Sequence, residues 1–349
     1  MQAMLLNQTV NLADNPAPLT LTDLPDPVPG DGEILIKVAA CGVCHTELDE
    51  IEGRLPPPQL PIVLGHQVVG RVVAMGEKDL AGFQNLPGLQ VGDRVGVAWI
   101  YSACGTCEFC RSGRENLCRE FKATGLHAHG GYAQYMTVRA EFAYRLPAAL
   151  SDVEAAPLLC AGAIGYRSLA LTNLQDGQTL GLTGFGASAH LTLKLARHRF
   201  PRSPLFVFAR STAERAFAIE LGASWAGDTT DRAPQPCAAI IDTTPVWTPI
   251  VEALKNLAAG GRLVINAIRK EAVDQNALLR LDYAAHLWLE KDIKSVANVT
   301  RRDVREFLQL AAEIPLRPAV ETFGLAEANR ALAELKQRHV RGAKVLLIN

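Results

Sequence analysis

The chain is poor in aromatic residues, which make up 6% of its 349 positions, and it contains no long apolar run. No segment approaches the roughly eighteen consecutive apolar residues of a membrane span, so no transmembrane helix is expected. Neither sign of charge dominates: Lys and Arg total 35 against 36 Asp and Glu, for a net charge of −1. Without a basic or acidic block, neither nucleic acid nor an anionic membrane is an expected partner. Residues 1–10 lack a basic stretch leading into an apolar core, so no secretory signal is expected. Internal repeats and low-complexity tracts are also missing. At this length two domains are expected rather than one core.

Cysteine, by contrast, is concentrated. Of eight cysteines, Cys104, Cys107, Cys110 and Cys118 fall within fifteen residues at C-x₂-C-x₂-C-x₇-C spacing. Four thiolates on one short loop can close a tetrahedron around a structural zinc ion. Two disulfides are the alternative, but a chain of this length has no need of such staples, and the cytoplasm is its expected compartment.

The texture of the chain changes near residue 150. Before it, short apolar or alternating runs at 33–40, 62–75 and 91–100 are broken by Pro- and Gly-rich turns, which reads as β-rich and irregular. After it, strand candidates at 180–183, 205–209, 238–242 and 262–267 alternate with helical patterns at 188–198, 212–221 and 248–257. Leu221-Gly222 and Gly260-Gly261 read as helix stops. That alternation predicts an α/β unit with a doubly wound parallel sheet. It ends near Ser295, and a tail follows with helices at 303–314 and 326–338 and a last strand at 343–348. The tail either extends the sheet or returns to the first domain.

Gly184-Phe185-Gly186-Ala187-Ser188-Ala189 follows a strand and opens a helix, matching G-x-G-x-x-[G/A]. The first glycine allows the tight turn, the second lets backbone approach a pyrophosphate, and Ala189 is small enough for helix to pack on strand. The next strand ends in Ala209-Arg210-Ser211, where an NAD site usually carries an acid for the ribose 2′-OH. Without that acid, and with a guanidinium and a hydroxyl in its place, NADP is favoured over NAD, although Arg210 could also stack on adenine with NAD bound.

Cys41-Gly42-Val43-Cys44-His45-Thr46-Glu47, Gly65-His66-Gln67 and Cys160 supply further zinc-type ligands. With the cysteine loop and the glycine turn, in this order, the chain resembles the zinc-dependent medium-chain alcohol dehydrogenases over essentially its whole length. The resemblance implies a GroES-like β-rich catalytic domain at 1–152 and 295–349, and a Rossmann coenzyme domain at 153–294. It also implies a homo-oligomer, tetramer or dimer, and two zinc ions per chain. Cys44, His66 and Cys160 match the catalytic zinc ligands, leaving a fourth position open, and Cys41 then reads as a buried small residue. The implied reaction is reversible hydride transfer between an alcohol or aldehyde and NAD(P), with zinc as Lewis acid. Thr46 matches the residue that hydrogen-bonds the substrate oxygen. Glu47 matches the carboxylate behind the ligand histidine, and His45 a residue near the coenzyme pyrophosphate. Asp49 stands where a relay histidine often sits. Lys344, with Arg341 as an alternative, matches a basic residue near the pyrophosphate. Leu55 and Trp99 match pocket-lining positions, implying aliphatic or aromatic alcohols. Gln67 and Ile164 depart from the family's usual glutamate and threonine. The other readings are a cinnamyl-alcohol-type NADP aldehyde reductase, a zinc-free reductase of quinones or enones, and a non-catalytic nucleotide-binding protein of this superfamily.

Overall fold

The computed structural model describes residues 1–76, 88–314, 316–337 and 342–349. They form two compact units, Met1–Cys160 with Val299–Asn349, and Ala161–Asn298.

The first unit is organised on the strand Glu33–Val43, whose Ile34, Ile36 and Val38 alternate into the core at 1% exposure or less. Burying each such aliphatic side chain stabilises the fold by about 1.5–3 kcal/mol. This strand pairs antiparallel with Val68–Met75 on one side and, through Cys41↔Leu346, with Ala343–Leu347 on the other. The tail therefore returns to the first unit. Its outermost strand, Val320–Gly324, runs parallel to Ala343–Leu347. The run expected at 62–75 is split into Ile62–Val63 and Val68–Met75, and His66 and Gln67 occupy the break. Gly65 makes that break possible: its φ is +97°, and a Cβ there would lie 2.4 Å from the Tyr132 ring.

Weak helical periodicity before residue 150 gives no hint of the helix His45–Ile51. Its start has a local cause, a capping box in which Cys44 takes the place of Ser or Thr. Thr46 donates its N–H to Cys44 Sγ at 3.4 Å, while Glu47 Oε2 accepts the Cys44 N–H at 2.8 Å. Farther along, Arg301 ties the cysteine loop to the returning tail. Its backbone N–H and Nε reach Glu115 Oε1 at 2.6 and 3.1 Å, its NH1 reaches Glu141 at 2.7 Å, and its guanidinium lies over the Phe142 ring.

The second unit holds a six-stranded, all-parallel sheet in the order Trp225–Gly227, Leu205–Phe208, Leu180–Thr183, Cys237–Asp242, Leu257–Ile265, Asp292–Ser295. The α/β expectation holds, with helices Ala187–Arg199, Thr212–Glu220 and Thr248–Asn256 close to the expected spans. Two details differ. The strand Trp225–Gly227 is too short to show periodicity. Gly260-Gly261, expected as a helix stop, lies within the strand Leu257–Ile265, where the register with Cys237–Asp242 shifts. A glycine pair serves a bulge as readily as a helix end. No helix among the described residues is long and apolar enough to cross a membrane.

The helix Asp152–Pro157 leads towards Cys160 and is capped by Ser151. Glu154 Oε2 accepts from the Ser151 hydroxyl at 2.6 Å, and its Oε1 lies 2.6 Å from Arg317 NH1 in the tail. Ser151 and Arg317 hold the Glu154 carboxyl down at about 2. Because the folded value lies below the ordinary one, ionised Glu154 stabilises the fold above about pH 4, and that contribution fades as the pH falls through 2. Glu154→Gln should therefore lower the Tm at pH 7, with a gap from wild type that narrows as pH is lowered from 5. Thermal denaturation across this range checks it; an equal Tm at neutral pH would count against it.

Candidate metal and dinucleotide sites

Two clusters of metal-type ligands form in the first unit. The Sγ atoms of Cys104, Cys107, Cys110 and Cys118 all lie within 4.8 Å of one another. Cys104 Sγ is 3.8 Å from Cys110 Sγ and 3.5 Å from Cys118 Sγ. Disulfide sulfurs sit about 2.05 Å apart, whereas a tetrahedron of 2.3 Å zinc–sulfur bonds has edges of about 3.8 Å. All eight cysteines are free thiols, so the disulfide alternative falls and the spacing fits an ion. The loop is also prepared for charge: backbone N–H groups of Thr106 and Cys107 lower the Cys104 thiol to about 6. Cys107 donates its N–H to Cys104 Sγ at 3.4 Å, and Cys110 donates its N–H to Cys107 Sγ at 3.5 Å.

Cys44, His66 and Cys160 form the second cluster, with ligand atoms again within 4.8 Å of one another. Each arrives by a different local device. Cys44 caps the helix His45–Ile51, His66 sits in the strand break, and Cys160 lies in the π-helical turn Leu158–Gly162. Such turns re-aim one side chain out of helical register. His66 Nε2 is 3.6 Å from Cys44 Sγ, and on the other side of the ring Nδ1 is 2.6 Å from Glu47 Oε1. This is the carboxylate–histidine arrangement that fixes the tautomer of a metal-bound imidazole. Two of the three groups are shifted toward their protonated forms. Burial works to lower the His66 pKa, but the charges of Glu47 and Cys44 outweigh it and hold the imidazole well above its usual range. The hydrogen bond with Cys160, and then burial, raise the Cys44 thiol. An ion must displace these protons, so its retention depends on pH.

Around this cluster several expected residues take definite positions. Gln67 is buried, and its side chain packs so closely on Gly42 that a Cβ there would lie 2.3 Å from Gln67 Oε1. Cys41 is fully buried and stands outside both clusters. Thr46 is half-buried and His45 exposed at the start of their helix. Asp49 departs from the relay expectation. Its carboxylate is buried, and Oδ1 lies 2.6 Å from Arg54 Nε, because the helix turns it toward that cation. Lys344 requires a correction. Its ammonium is fully buried between Glu321 and Glu334 at 2.7 and 2.6 Å and sits over the Phe323 ring, so it is spent on neighbouring tail residues and is not presented to a phosphate. Arg341 lies outside the described residues. Leu55 and Trp99 are half-buried, and Trp99 packs on Phe121 with ring centroids 5.6 Å apart.

Glu50 went unforeseen. It is fully buried one turn beyond Glu47, and neither of its oxygens has a hydrogen-bond partner among the described residues. Burial and then the charge of Glu47 raise its carboxyl well above the ordinary range. In sequence, the run Glu47-Leu48-Asp49-Glu50 looks like a solvated face, and only packing reveals otherwise.

In the second unit the glycine turn has the form a pyrophosphate requires. Gly184 has φ +76°, closed off to a side chain by Thr244 Cγ2 and Thr243 Oγ1 about 3 Å from any Cβ. Gly186 would place a Cβ in open space, and no side chain caps the helix Ala187–Arg199 that it begins. Open room above backbone N–H groups at a helix start suits an anion. Ala187 and Ser188 open that helix, and Ala189 is fully buried. Past the next strand Arg210 is exposed, and Ser211 caps the helix Thr212–Glu220. Beneath them Arg215, which no motif singles out, donates from NH1 to the carbonyls of Ala209 and Arg210 at 2.7 and 2.9 Å. Half-buried Ile164 lies on the helix Ala163–Leu171.

The model of the alcohol dehydrogenase GroES-like domain matches residues 30–148. A probable alcohol dehydrogenase, AdhA, of Mycobacterium tuberculosis (strain CDC 1551 / Oshkosh) is 42% identical over 322 residues, covering 92% of this chain and 90% of its own. The chain belongs to the zinc-dependent medium-chain alcohol dehydrogenases. An alcohol dehydrogenase of Geobacillus stearothermophilus is 32% identical, with 94% of this chain and 95% of its own covered. A solved cinnamyl alcohol dehydrogenase of Sorghum bicolor superposes with a TM-score of 0.82 at 26% identity, over 99% and 96% of the two chains. Within this alcohol dehydrogenase family frame, the Glu47–His66 contact gives a direct test. Glu47→Gln should weaken metal retention at the Cys44–His66–Cys160 set by about 10–100-fold. Metal analysis after graded chelation should then show one equivalent lost early and one kept. Loss at the wild-type rate would remove Glu47 from the centre.

Proposed function

We propose that the chain catalyses reversible hydride transfer between a primary or secondary alcohol and its carbonyl product, with NAD(P) as coenzyme and two zinc ions per chain. The observation that carries this is the three-ligand cluster Cys44–His66–Cys160, since two thiols and one imidazole leave a tetrahedral ion one position for substrate. Zinc bound there supplies a Lewis acid for the substrate oxygen, and the nicotinamide supplies the hydride acceptor. The protein's own part begins with Glu47, which orients His66. Thr46, two residues beyond Cys44, is assigned to hydrogen-bond the substrate hydroxyl and relay its proton, taking it up only as its own hydroxyl proton passes on through the coenzyme ribose hydroxyl to solvent. Asp49, paired with Arg54, is assigned to fixing the helix rather than carrying that proton. Cys104, Cys107, Cys110 and Cys118 hold the second, structural ion. The catalytic role is assigned to the first unit and the coenzyme role to the second, with His45, Gly184, Gly186, Ala187, Ser188, Ala189, Arg210 and Ser211 on the coenzyme.

NADP is the preferred coenzyme in this reading. No carboxylate follows the strand Leu205–Phe208, and Arg210 is exposed with Arg215 packed beneath its carbonyl. That feature and the likeness to the sorghum structure support the cinnamyl-alcohol-type aldehyde reductase as the second reading, as does the aromatic pair Trp99–Phe121. Eight free thiols fit a reducing cytoplasm. Self-association is supported by exposed Val273, Leu279, Tyr283, Trp288 and Ile293, which crowd a short stretch ending in the edge strand Asp292–Ser295.

Absorbance at 340 nm tests the activity. Purified protein given NADPH or NADH with butanal, benzaldehyde or cinnamaldehyde is expected to oxidise cofactor, and Cys44→Ser is expected to abolish this. Arg210→Asp should raise the KM for NADPH by roughly tenfold or more while sparing NADH, the loss of one charge-assisted contact plus repulsion. No turnover with both zinc ions bound would sink the catalytic reading, and an unaltered NADPH preference would sink the role of Arg210. Light scattering of a Trp288→Glu, Ile293→Lys double variant checks the association surface: a smaller particle than wild type is expected.

A further inference from the structure

We propose that Lys270 is a positioning residue for the dinucleotide, latching the two loops that leave the strands Cys237–Asp242 and Leu257–Ile265 into one fixed wall against the glycine turn. The proposal rests on the reading of this unit as the coenzyme domain.

Lys270 lies beyond the carboxyl end of its strand, yet its side chain is only 9% exposed. Its Nζ reaches Asp242 Oδ2 at 2.5 Å, Thr244 O at 2.7 Å and Val246 O at 3.2 Å. Three donors meet three acceptors, all contributed by 242–246. Asp242 is fully buried, and its other oxygen accepts from the hydroxyls of Thr183 at 2.5 Å and Thr244 at 2.8 Å. A buried charge with every hydrogen bond filled has one geometry, because displacing it leaves an unpaired ion in a dry site.

Backbone contacts run in the same direction. Asn266 donates to Asp242 O, Glu271 donates to Pro245 O, and the Asp274 carboxylate accepts from the N–H groups of Trp247 and Thr248. The segment 266–274 thus wraps 242–248 along its length, with the side chains of Lys270 and Asp274 both fastened to it. The wrapped loop in turn rests on the glycine turn. Thr243 donates N–H and hydroxyl to Thr183 O at 3.0 Å, and Thr243 and Thr244 occupy the space a Cβ on Gly184 would need. In an open parallel sheet, ligands bind outside the carboxyl ends of the strands, where connections leave to opposite sides. Leu180–Thr183 and Cys237–Asp242 are the central neighbours there, so the position of 243–246 sets one side of the crevice beside Gly184 and Gly186.

The test uses the Asp242→Asn, Lys270→Met double variant of the full-length holoenzyme, which removes the latch without stranding a buried charge. Binding of NADPH and NADH is read by nicotinamide fluorescence, independently of turnover. The variant is expected to fold, with a Kd and a KM for dinucleotide raised roughly tenfold and kcat kept within about threefold. A merely structural pair would lower the Tm and leave the Kd of the folded protein unchanged, and that result overturns the proposal. Wild-type protein that binds neither dinucleotide overturns the coenzyme reading and the latch with it; wild-type binding with an unaltered variant overturns the latch alone. Should the double variant not fold, Lys270→Arg decides. It keeps the charge but cannot place three donors on the same atoms, so its dinucleotide Kd must also rise, and an unchanged Kd overturns the proposal.

Discussion

One carboxylate holds the Cys44–His66–Cys160 cluster together. Glu47 Oε2 accepts the N–H of Cys44, and its Oε1 meets His66 Nδ1 at 2.6 Å. The side chain that starts the helix His45–Ile51 is therefore the same one that aims the imidazole. Two of the three ligands depend on it, one through its backbone and one through its ring. Because the group is fully buried, losing either partner leaves an expensive orphan. The third residue, Cys160, comes from a π-helical turn whose Leu159 packs on Gly96, where a Cβ would lie 2.8 Å from its Cδ2.

Ion pairs with at least one buried partner recur where segments must be held in one arrangement. Arg301 fastens the cysteine loop to the returning tail through Glu115 and Glu141. Lys344 is closed between Glu321 and Glu334 within the tail itself, and Lys270 fastens two loops of the second unit. Such pairs add little net stability over apolar contacts of similar shape, but they tolerate only one arrangement. An enzyme that must hold reacting groups to a fraction of an ångström gains from that intolerance.

The two metal clusters differ in the same physical terms. In the cysteine loop, backbone N–H groups lower the Cys104 thiol, while burial raises that of Cys110. In the Cys44–His66–Cys160 set, the Cys44 thiol and the His66 imidazole are both held well above their ordinary ranges, the first by its hydrogen bond with Cys160 and by burial, the second, against the opposing effect of burial, by the charges around it.

Sequence spacing by itself determined the parts whose geometry is local. Four cysteines within fifteen residues must share one loop, and Gly184-Phe185-Gly186 after a short apolar run must turn from strand to helix, whatever the rest of the chain does. The alternation after residue 150 likewise dictated a parallel sheet. Only the tertiary structure decided which charges are free. Lys344 and Asp49 look like available functional groups in sequence, yet both are committed to partners brought close by packing. Glu50 and Lys270 look like solvated residues, yet both are buried. The reason is that the state of an ionisable side chain depends on its solvation and on neighbours from remote segments, and neither is encoded in the spacing around it.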